Sequence, residues 1–141
     1  MSEITLSNET VQLINLASKH SGALIRDCIV EEDRIIFVVE KGQLGIAIGN
    51  KAKNLEKLRQ LFKKNIKFVE YDQDQNRFIR NLCKPHQINN LVIDGEENAR
   101  VVKITVNPRD KSKIIGKDGR NINMIRKLAQ RHHPIKDVQI S

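Results

Sequence analysis

An internal repeat constrains this chain more than any other feature of its sequence. The segment IGNKAKNL at residues 48–55 aligns with IGKDGRNI at residues 115–122, an offset of 67 residues. After each segment, apolar residues recur at the i, i+3, i+6 and i+7 spacing of one helical face. These positions are Leu55, Leu58, Leu61 and Phe62 in the first copy, and Ile122, Ile125, Leu128 and Ala129 in the second. We therefore predict two copies of one fold, over residues 1–72 and 73–141.

The predicted order of elements is the same in both copies, α-β-β-α-α-β. Each copy is thus an α+β domain with a three-stranded sheet backed by helices. In the first copy we expect helices at 7–20 and 53–64, a short helix before Gly49, and strands at 24–30, 34–39 and 66–71. In the second we expect a helix at 76–83, a helix from 108 to the Gly116 loop, a helix from that loop to about 131, and strands at 90–94, 100–106 and 136–140. Only residues 72–75 separate the copies, so we expect a rigid pair.

The net positive charge of the chain is concentrated in its second half. Of 25 basic and 17 acidic residues in total, residues 1–72 hold 11 and 10, whereas residues 73–141 hold 14 and 7. An excess of basic residues favours a polyanionic partner, because phosphate neutralisation releases counterions. On charge alone, a basic solvated surface with no specific partner is an equal alternative.

Both copies have a short loop between two predicted helices. In the second loop (residues 116–119) Gly116 and Gly119 allow a nucleic-acid backbone to approach without a Cβ atom in the way. The following helix begins at this loop, so the positive end of its dipole faces an incoming phosphate. Lys117 and Arg120 add donors, and we expect Ile114 and Ile115 to provide an apolar floor for bases. Two glycines at this spacing alone indicate only a tight turn; their repetition argues for a functional loop.

The segment IIGKDGRNI at residues 114–122 resembles the core signature of the KH domain, whose loop clamps about four nucleotides. The order α-β-β-α-α-β resembles the type II topology of this domain. Two such domains in succession resemble the archaeal NusA-related transcription factors. The resemblance implies a non-catalytic protein that binds single-stranded nascent RNA and influences transcription elongation or termination. It leaves contact with RNA polymerase open. A ribosome-associated or RNA-processing KH protein, or a KH-fold protein-interaction module with weakened RNA binding, are the alternatives.

The predicted RNA-binding residues lie in and before the two loops. They are Ile48, Gly49, Asn50, Lys51, Ala52 and Lys53 in the first copy, and Lys111, Lys113, Ile114, Ile115, Gly116, Lys117, Asp118, Gly119 and Arg120 in the second. The first loop (residues 49–52) ends in Ala52 instead of glycine, at a position that we expect to be helical and therefore tolerant of alanine. The apolar helix before it lacks counterparts of Lys111 and Lys113. We therefore predict that the second loop is the stronger RNA site.

Other functional classes find little support in the sequence. Cys83, His86, His132 and His133 lack the paired spacing of a zinc module, and we expect the last two to cap helix carbonyls or face solvent. We predict no cofactor, no small-molecule substrate and no catalytic centre, since phosphate-binding and nucleophile motifs are missing. Scarce aromatic residues argue against binding by exposed stacking. Without a signal peptide or membrane-spanning run, and with Cys28 and Cys83 as buried reduced thiols, we expect a cytoplasmic protein.

Overall fold

The computed structural model describes residues 7–141, which form two compact units. Residues 7–72 are here called the N-domain and residues 73–141 the C-domain. The N-domain contains α1 (Asn8–Ser21), β1 (Ile25–Val30), β2 (Arg34–Val39), α2 (Leu44–Ile48), a 3₁₀ turn (Asn50–Ala52), α3 (Lys53–Phe62) and β3 (Asn65–Glu70). The C-domain contains α4 (Gln75–Cys83), β4 (Asn90–Asp94), β5 (Arg100–Thr105), α5 (Pro108–Ile115), a 3₁₀ turn (Lys117–Gly119), α6 (Arg120–His132) and β6 (Ile135–Ile140).

The two sheets have the same topology. In the N-domain, β2 lies in the middle, antiparallel to β1 and parallel to β3. In the C-domain, β5 takes the middle position, antiparallel to β4 and parallel to β6. The parallel pairs need a long crossover, and the two helices around each glycine loop provide it. The predicted α+β fold class is confirmed.

Local sequence signals fix the ends of several helices. The Ser7 hydroxyl accepts the backbone N–H of Thr10 at 3.1 Å, and α1 ends at Gly22, which has a left-handed φ of 77°. The Asn107 side chain accepts the N–H of Arg109 at 3.3 Å, and Pro108 follows as the first residue of α5. Proline suits this position because its missing N–H would have no helical partner.

Each domain has its own apolar core between sheet and helices. In the N-domain, Phe37 on β2 packs against Phe68 and Phe62, with ring centroids 5.9 and 6.2 Å away. In the C-domain, Phe78 on α4 is fully buried and contacts the rings of His132 and His133. These histidines are only 4% and 8% exposed, so the expectation that they face solvent is wrong. They fill the space between α4 and the end of α6.

Both cysteines, Cys28 and Cys83, are buried free thiols, as predicted from their apolar neighbours. Between residues 7 and 141, no cluster of three or more His, Cys, Asp or Glu residues is arranged to hold a metal ion. No helix in the described part of the chain is long and apolar enough to cross a membrane.

Candidate nucleic-acid interface

The two glycine loops have nearly the same backbone conformation. Gly49 has φ 80° and ψ 166°, and Gly116 has φ 79° and ψ 171°. In each case the glycine N–H donates back into the preceding helix, to Gly45 or to Ser112, at 2.9 Å. A 3₁₀ turn follows, and then the longer helix begins, α3 in the N-domain and α6 in the C-domain. The repeat in sequence is therefore a repeat in loop geometry.

The first position of each loop requires glycine for two reasons. A positive φ with ψ near 170° is a backbone region that only glycine populates readily. In addition, a Cβ atom at Gly49 would lie 2.8 to 3.0 Å from atoms of Asn54, and one at Gly116 would lie 2.9 Å from atoms of Asn121. Contacts this short force the loop or the following helix to shift. The glycine therefore lets the two helices approach each other closely.

The last position of each loop is left-handed, not helical. Ala52 has φ 59° and ψ 28°, and Gly119 has φ 74° and ψ 13°. The expectation that alanine occupies an ordinary helical position is therefore wrong, although the first loop keeps its shape. A residue other than glycine in this conformation costs roughly 1–2 kcal/mol. Space is not the obstacle, because a Cβ at Gly119 would meet nothing closer than 3.8 Å. Alanine at residue 52 is thus tolerated with backbone strain.

An asparagine holds each loop from inside, a feature that the predicted site residues did not include. The side-chain nitrogen of Asn54 donates to the carbonyl oxygens of Ile46 at 2.9 Å and Ser21 at 3.3 Å. The side-chain nitrogen of Asn121 donates to the carbonyl oxygen of Ile114 at 2.7 Å. The two asparagines are separated by the same 67 residues as the loops. This repetition is the sequence signal that could have identified them.

The start of the longer helix is open to the loop in both domains. Neither Ala52 nor Gly119, the residues that precede α3 and α6, provides a side-chain cap. The positive end of the helix dipole therefore faces the loop. In the C-domain the exposed side chains of Lys117 and Arg120 lie next to it in sequence. This combination of backbone and side-chain charge is suited to a phosphate group.

The predicted site residues differ in their exposure. The charged and polar ones are exposed: Asn50, Lys51, Lys53, Lys111, Lys113, Lys117, Asp118 and Arg120. Ile48 and Ile115, directly before the loops, are half-buried. Ile114 is fully buried in the C-domain core, so the expectation that it forms part of a floor for bases is wrong. Of the two isoleucines, only Ile115 retains an accessible surface.

The surfaces in front of the two loops differ in chemistry. On α5, Lys111 and Lys113 are exposed, whereas the aligned positions on α2 are Leu44 and Ile46. Ile46 is 47% exposed. The C-domain therefore presents positive charge where the N-domain presents an apolar surface.

Comparisons with known proteins agree with this arrangement. Residues 13–73 match the KH domain, and residues 75–140 match the NusA-like second KH domain. A probable transcription termination protein NusA of Halobacterium salinarum is 32% identical over 138 residues, 98% of this chain and 99% of the relative. Its counterpart from Methanocaldococcus jannaschii is 28% identical over 140 residues, 99% of this chain and 76% of the relative. This chain belongs to the NusA-like family.

A solved structure has the same fold. The crystal structure of APE1850 is 30% identical in sequence to this NusA-like chain, with a TM-score of 0.78. The match covers 96% of this chain and 100% of that one. The likeness thus extends over both KH domains, including the domain whose loop ends in Ala52.

Proposed function

We propose that this NusA-like chain is a non-catalytic, single-stranded RNA-binding protein that acts on transcription elongation or termination through nascent RNA. The observation that supports the proposal is the second loop, where two glycines and the start of α6 are flanked in sequence by the exposed Lys113, Lys117 and Arg120. Phosphate-binding loops need this combination of close backbone approach and positive charge.

In this proposal, RNA binds to the second loop. The strand passes over Gly116 and Gly119, where no Cβ atom keeps the phosphates away. The start of α6 and the side chains of Lys117 and Arg120 compensate the phosphate charge. Bases turn toward the half-buried Ile115. A KH domain does not need exposed aromatic rings for this, in contrast to sheet-based RNA binders.

The N-domain is the weaker RNA site in this proposal. Its loop has the same backbone, but Ala52 adds a methyl group where Gly119 leaves space, and the preceding helix has no lysine. The C-domain therefore provides most of the electrostatic affinity, and the N-domain provides a weaker site of its own.

The role in transcription rests on the relatives, which are named as probable transcription termination proteins. We propose that RNA polymerase is a partner and that the protein acts in the cytoplasm, where the buried thiols of Cys28 and Cys83 stay reduced. Co-purification with RNA polymerase that survives nuclease treatment supports this part. Co-purification with ribosomes instead would favour a ribosomal role.

The RNA-binding part is tested by titrating short single-stranded RNA at two salt concentrations. Wild-type affinity should fall as salt rises, because phosphate contacts release counterions. Lys117→Asp makes both central residues of the second loop acidic and should weaken binding by about tenfold or more. Lys136→Asp, an equal change at an exposed position on β6, serves as the control. Equal affinity of the Lys117 variant and the wild type would remove the second loop as the RNA site.

A further inference from the structure

The C-domain has a basic surface pocket that the loop residues do not account for. It lies in the connection between α4 and β4, has a volume of about 410 Å³, and is lined by Arg80, Lys84, Pro85, His86, Gln87 and Ile88. Arg80 and Lys84 are exposed, and none of the six lining residues is acidic. The lining therefore favours an anion. These six residues are here called the basic pocket.

The packing of the helices places the basic pocket at the same end of the C-domain as the second loop. In the N-domain, the carbonyl oxygen of Ser21, the last residue of α1, accepts from Asn54 in the first turn of α3. The two helices are thus antiparallel. In the C-domain, Phe78 in the first turn of α4 contacts His132, the last residue of α6. This pair is also antiparallel, so the end of α4 points toward the start of α6.

The aligned cores of the two domains support this placement. Ile14 and Ala17 are buried in α1, and Ile79 and Leu82 are buried at the same spacing in α4, 65 residues later. In the N-domain, α1 ends at Ser21, which contacts Asn54 beside the first loop, so α4, which packs through the same positions, ends on the side of the second loop. The basic pocket follows the end of α4 and therefore lies on that side of the C-domain.

The two domains differ at this point in backbone as well as in charge. In the N-domain, α1 continues to Ser21 and ends on Gly22. In the C-domain, α4 already ends at Cys83, and Pro85 prevents the helix from continuing. The residues after Cys83 form the irregular connection that encloses the basic pocket.

We propose that the basic pocket is a second phosphate-binding site, which holds the backbone of the RNA strand where it leaves the second loop. The inference rests on the proposed RNA-binding function and extends its site. The Nε atom of Arg80 donates to the Asn76 side chain at 2.7 Å, which leaves the two terminal nitrogens of its planar guanidinium group for a phosphate. Lys84 adds a point charge, and this combination binds phosphate oxygens without reading bases. The site therefore increases affinity for longer strands and adds no sequence preference.

Strand length separates the basic pocket from the second loop in an experiment. A four-nucleotide RNA fills the loop alone, whereas a strand of about eight nucleotides extends beyond it. In Arg80→Glu/Lys84→Glu, affinity for the short RNA should change less than about twofold, and affinity for the longer RNA should fall about tenfold. The salt dependence of the longer RNA should decrease by about 0.7 in log–log slope for each lost phosphate contact.

A matched control has the same change of charge elsewhere. Lys127→Glu/Lys136→Glu alters two exposed lysines outside the basic pocket and should affect both RNA lengths equally. Equal losses for both lengths in the Arg80/Lys84 variant, or a loss no larger than that of the control, would overturn the basic pocket as a phosphate site. If the wild type binds neither RNA, the proposed function fails and the inference with it. If the wild type binds both RNAs with equal affinity, the second phosphate site is ruled out, whereas the proposed RNA-binding function is not.

Discussion

Asn121 donates a hydrogen bond of 2.7 Å to the carbonyl oxygen of Ile114, and this bond joins the two helices that the second loop connects. The donor comes from the first turn of α6 and the acceptor from the last turn of α5. Asn54 makes the corresponding link in the N-domain, to Ile46 at 2.9 Å. The glycine at the start of each loop lies against this asparagine, with no space for a Cβ atom. The pair of glycine and asparagine therefore holds each loop in one conformation.

Replacing Asn121 with alanine should loosen the second loop without removing any charge. The Ile114 carbonyl oxygen loses its side-chain donor, which should lower the free energy of unfolding by about 1–2 kcal/mol. RNA affinity should fall about fivefold or more, because the loop must then be ordered on binding. Denaturant unfolding and RNA titration measure the two effects separately.

Asn123→Ala is the matched control for the Asn121 variant. Asn123 is exposed on the same helix, and its side-chain oxygen accepts only an exposed hydrogen bond from Arg126 at 3.3 Å. Its replacement should change stability by less than about 0.5 kcal/mol. If Asn121→Ala binds RNA as tightly as Asn123→Ala, the asparagine does not organise the loop.

Exchanging the residues at the end of the two loops should change stability in opposite directions. Ala52→Gly relieves the left-handed strain at residue 52 and should stabilise the N-domain by roughly 0.5–1 kcal/mol. Gly119→Ala introduces the same strain into the C-domain and should destabilise it by a similar amount, since its Cβ finds space. Thermal unfolding of both variants checks the signs. A stabilising Gly119→Ala would contradict the assigned conformation.

Alanine at the start of the second loop should be far more damaging than alanine at its end. Gly116→Ala combines a backbone region reserved for glycine with contacts of 2.9 Å to Asn121, and should cost about 3 kcal/mol. Gly119→Ala is the internal comparison, since it adds the same methyl group three residues later. Equal unfolding free energies for the two variants would show that the close packing of Gly116 against Asn121 does not contribute to stability.

Much of the fold followed from the repeat, because apolar periodicity and the loop pattern are local signals. Chemical identity at a loop position does not reveal its backbone angles, so the left-handed conformation of Ala52 was not predictable. The burial of Ile114 has a geometric cause. Ile114 and Ile115 are adjacent in one helix, so their side chains point about 100° apart and only one of them faces the core. The sequence alone does not say which.

Other features depend on contacts between distant parts of the chain. His132 is the last residue of α6 and His133 follows it directly, so their positions in the sequence suggest exposure to solvent. They are buried because Phe78, from the opposite end of the domain sequence, packs against both rings. The role of Asn121 is similar: its repetition is visible in sequence, but its acceptor becomes evident only when α5 and α6 are placed side by side.

Ile46 in the N-domain aligns with Lys113 in the C-domain, and this difference is one reason to expect unequal RNA affinity of the two domains. Exchanging the two residue types tests it. Ile46→Lys places a lysine on an exposed position of α2, and should raise RNA affinity and steepen its salt dependence by about 0.7 in log–log slope. In the C-domain, Lys113→Ile should lower RNA affinity and make its salt dependence less steep. RNA titrations over a series of salt concentrations measure both slopes. If Ile46→Lys lowers affinity instead, the isoleucine itself contacts the bases, and the N-domain binds RNA through its apolar surface.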